Sequence, residues 1–232
     1  MRVLTPPAAS RSGITLIEAL ATISVIALLL ALLVPGLGGA HKAAKGAVCL
    51  SNLRSFGAAV ALYANDHDDR YPSSSHSAGS LVAQGAWLSS LQPYGIDAPP
   101  RKCPVDPFAD SRLTSYASNE HFEALTPGID YSPITHQPLP GGRTRAFTRR
   151  TLVPRPAAAI YAFEPEGDGT ADHLNTHAFA AADDVRAAVA VTRHVGAGHF
   201  LFADGRTAAW PWTDLAARFS PSTSPFDPEV AR

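Results

Sequence analysis

An unbroken apolar run near the N-terminus constrains this chain more than any other feature. Residues 14–34 contain no proline, no glycine and one charged side chain, Glu18. At about 1.5 Å per residue, a helix of this length roughly spans the 30 Å core of a bilayer. A carboxylate in hydrocarbon costs at least about 2.5 kcal/mol, so we expect Glu18 to have a function and a partner.

The residues that flank the run follow a recognisable order. Ser12-Gly13 is a small-residue junction before Ile14, Glu18 is the fifth residue counted from Ile14, and Pro35 ends the run. This order resembles the N-terminal signal of type IV pilins and type II secretion pseudopilins. The resemblance implies that a prepilin peptidase cleaves after Gly13 and methylates the new N-terminus at Ile14, where the family usually has Phe.

The same resemblance implies a place and partners for the chain. Residues 14–34 would form a single-pass anchor in the inner (cytoplasmic) membrane, with the head on the extracytoplasmic side. The amine of Ile14 from a neighbouring subunit would then pair with Glu18 as a filament grows, which makes Glu18 an assembly residue. The expected partners are the prepilin peptidase, the membrane and other pilin or pseudopilin subunits, in a homo- or hetero-filament.

Two other interpretations of the segment stay open. It could be an ordinary secretory signal, with a cleavage site near Gly38-Gly39-Ala40, or a plain signal anchor. The run exceeds the roughly 7–15 apolar residues of a secretory signal. Neither alternative accounts for Gly13, Glu18 and Pro35 together.

Charge argues against a nucleic-acid partner. The 232 residues include 19 basic and 20 acidic side chains, a net charge of −1. Loss of residues 1–13 would remove Arg2 and Arg11 and leave 17 basic and 20 acidic residues, a net charge of about −3. A near-neutral chain without a block of like charge lacks the basic patch that would attract a nucleic acid.

The apolar run continues into an amphipathic pattern. Five residues at helical spacing are expected on one face, namely Val48, Leu53, Phe56, Val60 and Tyr63. Short polar side chains after Asn65 then end the helix. We therefore expect a leader at residues 1–13, a long helix at 14–65 and a globular head at 66–232. As the resemblance implies, the fold class is α+β and pilin-like, with the helix packed on a small, loop-rich antiparallel sheet.

Local patterns place a few elements in the head. Residues 87–91 are expected to form a short helix, and residues 157–163 and 187–191 to form strands. Asp204-Gly205 lies between two apolar runs, which is a strong signal for a β-hairpin because glycine adopts the positive φ that tight turns need.

The hairpin carries a second resemblance. His194, nine intervening residues and Asp204-Gly205 resemble the H-x9-DG processing-associated region at the C-terminal end of a large group of pilin-like proteins. Three further segments resemble stretches of those proteins, namely Cys49-Leu50-Ser51-Asn52-Leu53-Arg54, Cys103-Pro104-Val105-Asp106-Pro107 and Ser115-Tyr116-Ala117-Ser118-Asn119.

Several polar residues of the head could hold a metal ion, but a structural role is favoured. His194, His199 and Asp204 lack a spacing that demands a zinc site, and we expect His194 to bond the backbone or the Asp204 turn. Asp168-Gly169 and Asp172 could bind calcium but do not follow a known loop spacing. With His173 and His177 they are expected in a solvated loop, and no metal or cofactor is predicted.

Cys49 and Cys103 are the only cysteines, and an oxidising compartment would let them pair. Such a bond would tie the long helix to the head. Separate buried thiols are the alternative, and two cysteines alone cannot form a structural zinc site.

No catalytic motif stands out. The sequence has no Gly-x-Ser-x-Gly, no Walker A loop and no His-Glu-x-x-His. We therefore expect a non-enzymatic filament subunit of a type II secretion or type IV pilus-like system. The alternative is a membrane-anchored ligand-binding or enzymatic head that uses the prepilin signal only for delivery, which a deep polar pocket around His194 and Asp204 would favour.

Overall fold

The computed structural model describes residues 13–72, 86–97, 101–122, 130–131, 138–139, 147–167, 172–174, 176–220 and 223–231. The chain divides into two compact units, Met1–His41 and Lys42–Arg232. The first is called the N-terminal unit and the second the head unit. Most of the predicted leader, residues 1–12, lies outside the described residues.

One helix, α1 (Leu16–Asp66), contributes residues to both units. Helical structure is continuous through Gly38 and Gly39. The helix ends as expected from its polar residues: the Ala64 carbonyl accepts hydrogen bonds from the backbone N–H of His67 and of Asp69, at 3.3 and 2.8 Å. Asp68 and Asp69 have φ angles of 53° and 65°, a left-handed conformation that aspartate tolerates better than most residues.

The N-terminal unit exposes its apolar side chains. Two stretches of α1, Leu16–Val34 and Leu37–Asp66, are long and apolar enough to cross a membrane by length and composition. None of the first stretch is buried within the protein, whereas 39% of the most apolar part of the second is. The second stretch therefore includes a core helix of the head unit, and the first is the candidate membrane span.

The head unit contains a five-stranded mixed sheet. Its strand order is β5-β1-β4-β6-β7. The strands are β1 (Ala117–Asn119), β4 (Ile160–Phe163), β5 (His173–Leu174), β6 (Ala197–Phe202) and β7 (Thr207–Pro211), and a separate pair is formed by β2 (Asp130–Tyr131) and β3 (Pro138–Leu139). The α+β class is confirmed. The sheet is not wholly antiparallel, because β1 and β5 run parallel.

The predicted hairpin is confirmed. Strands β6 and β7 pair antiparallel from Ala197 opposite Pro211 to Leu201 opposite Thr207. Gly205 has a φ of 85°, which allows the tight turn between them. The Asp204 carboxylate accepts a hydrogen bond from the backbone N–H of Arg206 at 2.9 Å and so stabilises the turn.

Two apolar clusters line the sheet. Along β6, Leu201 joins the cluster that contains α1, while Phe200 and Phe202 join the other cluster, as strand alternation requires. The α1 side chains buried in the first cluster are Cys49, Leu53, Phe56, Ala59 and Val60. The predicted helix face was wrong for Val48, which is 49% exposed, because the buried position is its neighbour Cys49.

Among the described residues, the head unit also has three short α-helices: α2 (Ala86–Leu91), α3 (Ala182–Ala188) and α4 (Trp212–Ala217). The predicted helix at residues 87–91 is confirmed by α2. The predicted strand at 187–191 was wrong, because Ala187 and Ala188 belong to α3 and of the remaining residues only Val189 forms an isolated bridge, with Pro165. The Asp184 carboxylate accepts hydrogen bonds from the backbone N–H groups of Ala180 and Ala181, and this anionic first turn favours a helix here.

Candidate functional site

The predicted processing junction lies directly before α1. Gly13 and Ile14 precede the helix, and the Ile14 side chain is 82% exposed. The bond between these two residues is therefore outside the helical hydrogen-bond pattern. An exposed, non-helical peptide bond is accessible to a peptidase without prior unfolding of the helix.

Thr15 and Glu18 form a capping box that sets the start of α1. The Glu18 carboxylate accepts hydrogen bonds from the backbone N–H of Thr15 at 2.9 Å and from its hydroxyl at 2.7 Å. In return, the Glu18 N–H donates to the Thr15 hydroxyl at 3.4 Å. The helix begins at Leu16 rather than at Ile14 because this reciprocal bonding satisfies its first free N–H groups.

The capping box gives Glu18 a partner within its own chain, Thr15, that was not among the predicted partners. The prediction assigned to Glu18 only a cation from a neighbouring subunit. A Thr followed three residues later by Glu, before an apolar run, is the usual sequence signature of a helix N-terminus. The spacing Thr15-x-x-Glu18 could therefore have indicated this contact.

The other polar side chains of the apolar run are also satisfied within α1. The Thr22 hydroxyl donates to the Ala19 carbonyl and the Ser24 hydroxyl to the Leu20 carbonyl, both at 2.8 Å. Every polar side chain of residues 14–34 thus has a hydrogen bond inside its own segment. Hydrocarbon offers no partner for such groups, so this arrangement suits a lipid environment.

In the head unit, the segments of the second resemblance meet around a disulfide. Cys49 on α1 is bonded to Cys103, with 5.1 Å between their Cα atoms. Both residues are fully buried. The bond fixes α1 to the loop that precedes β1.

His194 lies against this disulfide. Its Nε2 is 3.8 Å from Cys103 Sγ and is hydrogen bonded to the Glu164 carboxylate. The His199 ring stacks on the His194 ring with centroids 3.7 Å apart and planes nearly parallel. His194 was expected to bond the backbone or the Asp204 turn. Its backbone N–H does bond the Ala197 carbonyl at 3.0 Å, but its side chain is buried with Glu164, and Asp204 is exposed in the hairpin turn.

Charged side chains next to His194 hold the loop that follows Cys103. Buried Asp106 lies 3.5 Å from Arg112 Nη1 and 3.8 Å from Arg193 Nη1. Arg193 also donates to the Pro165 carbonyl at 2.9 Å. These ion pairs connect the Cys103 segment to the segment that carries His194. They therefore position both sides of the cluster formed by Cys49, Cys103, Glu164, His194 and His199.

Tyr116 and Asn52 support the cysteine side of the cluster. The Tyr116 hydroxyl donates to the Cys49 carbonyl at 3.4 Å and accepts from Asn52 Nδ2 at 3.3 Å. Asn52 also donates to the Lys102 carbonyl at 2.9 Å, next to Cys103. The pKa of Tyr116 is raised, and burial is the largest cause. Its hydroxyl therefore stays protonated and remains a donor.

Asn119 connects β1 to two other parts of the head unit. Its amide donates to the Ile160 carbonyl on β4 and to the Phe226 carbonyl near the C-terminus, both at 2.7 Å. Its oxygen accepts from the His121 N–H at 3.0 Å and from the Thr176 hydroxyl at 2.5 Å. All the hydrogen-bonding capacity of this buried amide is used, which indicates a structural role.

Burial dominates the ionisation of the cluster. It raises the pKa of the Glu164 carboxyl, although the hydrogen bond from His194 acts in the opposite direction. Burial, with a smaller contribution from the nearby His194, also lowers the pKa of His199 to about 3. Both effects reflect the cost of placing a charge away from water.

The structure describes only some of the residues that could have formed a calcium-binding loop. Asp168 and Gly169 lie outside the described residues. The Asp172 carboxylate is buried and bonds His173 Nδ1 at 2.9 Å. The expected solvated loop was wrong for His177, whose ring packs on that of buried His121 with centroids 3.6 Å apart.

Two surface depressions lie near the motif residues. One, of about 210 Å³, is lined mainly by apolar groups of α1 and the hairpin, among them Val60, Leu201 and Phe202. The other, of about 570 Å³, is lined by residues that include Asn52 and Cys103. His194 lines neither depression. Asp204 lines the first depression only. Within the described residues, neither depression is therefore the polar pocket around both His194 and Asp204 that would favour an enzymatic or ligand-binding head.

Comparison with known proteins finds a similar secretion protein. The chain is 27% identical over 128 residues to the type II secretion system core protein G of Pectobacterium carotovorum subsp. carotovorum. The match covers 55% of this chain and 81% of that protein. No family model and no solved structure matches the chain. Together with an apolar N-terminal helix and an α+β head, this similarity supports the pseudopilin family for the chain.

Proposed function

We propose that this protein is a pseudopilin-like structural subunit of a type II secretion or type IV pilus-like filament. A prepilin peptidase cleaves it after Gly13 and methylates Ile14. Residues 14–34 cross the inner membrane once, with the head on the extracytoplasmic side. The subunit then joins other pilin-like subunits through α1 and Glu18.

The exposed apolar surface of the N-terminal unit carries this proposal. Each large aliphatic side chain of Leu16–Val34 is more than half exposed. Removing such a side chain from water is favourable by about 1.5–3 kcal/mol. A continuous apolar surface of this kind therefore needs a membrane or another protein to bury it. A bilayer can provide it for the single subunit, and neighbouring helices can provide it in a filament.

Two further features support the proposed route. The accessible bond between Gly13 and Ile14 suits cleavage before assembly. The disulfide between Cys49 and Cys103 suits a head on the oxidising side of the membrane.

Processing is tested first, on the full chain extracted from membranes of cells with and without a prepilin peptidase. We expect an N-terminal residue Ile14 with one added methyl group only where the peptidase is present. The readouts are intact mass and N-terminal sequencing. An uncut chain, or one that starts at His41, would contradict the proposal and indicate an anchor or an ordinary secretory signal.

Assembly is tested with three variants that separate the charge of Glu18 from its capping role. Glu18→Gln removes the charge but retains a side chain that capping boxes accept. Glu18→Ala removes both, and Thr15→Ala removes the capping hydroxyl but keeps the charge. If the charge drives assembly, both Glu18 variants are lost from sheared filaments while Thr15→Ala is incorporated. Incorporation of Glu18→Gln with loss of Thr15→Ala would instead assign Glu18 to helix capping alone.

A further inference from the structure

The buried cluster around the disulfide contains a complete set of metal-ligand atoms. Cys49, Cys103, Glu164 and His194 each offer one ligand atom, and all four atoms lie within 4.8 Å of one another. All four residues are buried. They come from α1, the loop before β1, the end of β4 and the segment before β6, so the fold brings them together from distant parts of the chain.

A disulfide alone does not explain the other two residues. The two sulfur atoms need no polar neighbour, whereas burying a carboxylate and an imidazole costs several kcal/mol before their mutual attraction is counted. Among the described residues, Glu164 Oε1 is buried without a hydrogen-bond partner, on the same carboxylate that bonds His194 Nε2 through its other oxygen. Unpartnered polar atoms are rare in protein cores and often mark an ion site.

We propose that Cys49, Cys103, His194 and Glu164 form a tetrahedral Zn²⁺ site when the two cysteines are reduced. Two thiolates, one imidazole and one carboxylate are ligands that zinc accepts at about 2.0–2.3 Å. The four donor atoms of such a site are about 3.5 Å apart. Cys103 Sγ and His194 Nε2, at 3.8 Å, are already close to this spacing.

The site and the disulfide exclude each other because they use the same two sulfur atoms. A dithiol reductant supplies two electrons and two protons, the bond between Cys49 and Cys103 breaks, and the reductant becomes a disulfide. Each thiol then loses its proton as it binds Zn²⁺. Oxidation reverses the exchange: the sulfur–sulfur bond forms again, two electrons pass to the oxidant and the ion is released.

The cluster borders the surface on its cysteine side. Cys103 lines the depression of about 570 Å³ together with Asn52, Lys102 and Asp106. Cys103 itself is fully buried, so this depression is the side from which a reductant or a metal ion would approach the sulfur atoms.

Cobalt is the probe for a first test, because thiolate bound to tetrahedral Co²⁺ gives a charge-transfer band. Full-length protein in detergent is reduced with a phosphine, freed of reductant without air and titrated with Co²⁺. We expect one equivalent to bind, with a thiolate band that Zn²⁺ abolishes by displacement. The oxidised protein should show no such band.

Variants test the ligand set. Cys103→Ser should weaken the thiolate band, and His194→Gln and Glu164→Gln should each weaken Co²⁺ binding at least about 10-fold. His177→Gln, at a half-buried histidine outside the cluster, is the matched control and should leave affinity unchanged.

A measurement on the wild type keeps the test valid if a variant fails to fold. X-ray absorption of the reduced, Zn²⁺-loaded full chain should show two sulfur neighbours at about 2.3 Å and two nitrogen or oxygen neighbours. Absence of the thiolate band in reduced wild type, or a zinc shell without two sulfur neighbours, would overturn the proposal. Equal affinity of folded Glu164→Gln and wild type would remove Glu164 from the site and overturn it as a four-ligand site.

Discussion

Gly57 on α1 lies against the turn of the β6–β7 hairpin, where a Cβ would stand 3.1 Å from the Gly205 carbonyl oxygen and 2.9 Å from Leu201 Cδ1. The helix can approach the hairpin this closely only because position 57 lacks a side chain. The close contact places the Asp204-Gly205 turn directly on α1.

Gly57→Ala should therefore destabilise the head. Alanine gains up to about 1 kcal/mol of helix propensity, but overpacking against backbone costs about 1–3 kcal/mol. We expect a net loss of about 1–2 kcal/mol in urea unfolding of the full chain in detergent. Gly46→Ala is the matched control on the same helix: its nearest neighbour would be at 3.6 Å, so its stability should stay equal or rise. Equal effects of the two substitutions would contradict this account.

Loss of the disulfide should destabilise the head without affecting processing. The bond joins residues 54 positions apart, and the chain-entropy model gives a stabilisation of about 4 kcal/mol for such a loop. With a chelator present, Cys49→Ser and Cys103→Ser should lower the melting temperature equally. The double variant should cost about as much as either single variant, because all three lack the same bond. Cleavage after Gly13 should be unchanged, and an unchanged melting temperature would disprove the stabilising role.

Asn119→Ala should be among the most destabilising substitutions in the head. It leaves two backbone carbonyls and two donors without their buried partner, at about 1–3 kcal/mol for each group that stays unsatisfied. We expect a loss of at least about 3 kcal/mol and faster proteolysis near Phe226, because this amide holds the C-terminal segment. The control is Asn52→Ala: Asn52 is half-buried and bonds one carbonyl and one hydroxyl, so its loss should be about 1 kcal/mol. Comparable losses would contradict the assignment.

Acid should destabilise the head through the stacked pair of His121 and His177. Burial lowers the pKa of His177 to about 4, and burial together with His177 lowers that of His121 well below 6.5. The unfolded chain binds these protons below about pH 6.5 while the folded chain does not, so stability is full above that pH and falls as pH drops toward 4. The expected slope is about 1.4 kcal/mol per pH unit for each imidazole.

The measurement for this acid effect is urea unfolding at a series of pH values. His177→Gln should flatten the slope below pH 6.5, whereas His67→Gln, at an exposed position, should not. Asp227 also faces His121, with its carboxylate 3.9 Å from His121 Nε2, and burial raises its pKa. An unchanged slope for His177→Gln would show that other groups control the acid response.

Local signals in the sequence predicted the elements that depend on local physics. The Asp204-Gly205 turn and the end of α1 both follow from residues that favour one backbone conformation. The Ala-rich stretch at 187–191 was misassigned because a short apolar run does not distinguish a strand from a helix. The acidic first turn at Asp183 and Asp184 was the signal for a helix.

The cluster around His194 could be predicted only in part. Its two cysteines and His194 lie in segments that resemble stretches of pilin-like proteins, so the sequence could indicate that these three residues matter. Glu164 carries no pattern, and its contact with His194 depends on the pairing of β4 with β6, which joins distant parts of the chain. Such pairings are set by packing over the whole sheet, and a single sequence does not display them.

The capping box gives the Glu18 carboxylate hydrogen-bond partners within a single subunit. Its carboxylate already receives two hydrogen bonds from Thr15, so in the proposed membrane anchor a lone subunit would not hold an unpaired carboxylate at the edge of the hydrocarbon. If Glu18 pairs with the Ile14 amine of a neighbouring subunit, as we propose, that amine would have to displace these bonds or share the carboxylate with them. In the proposed filament, pairing with an amine would therefore exchange one set of partners of Glu18 for another, so the bonds lost to Thr15 would reduce what the new ion pair adds to the stability of the polymer.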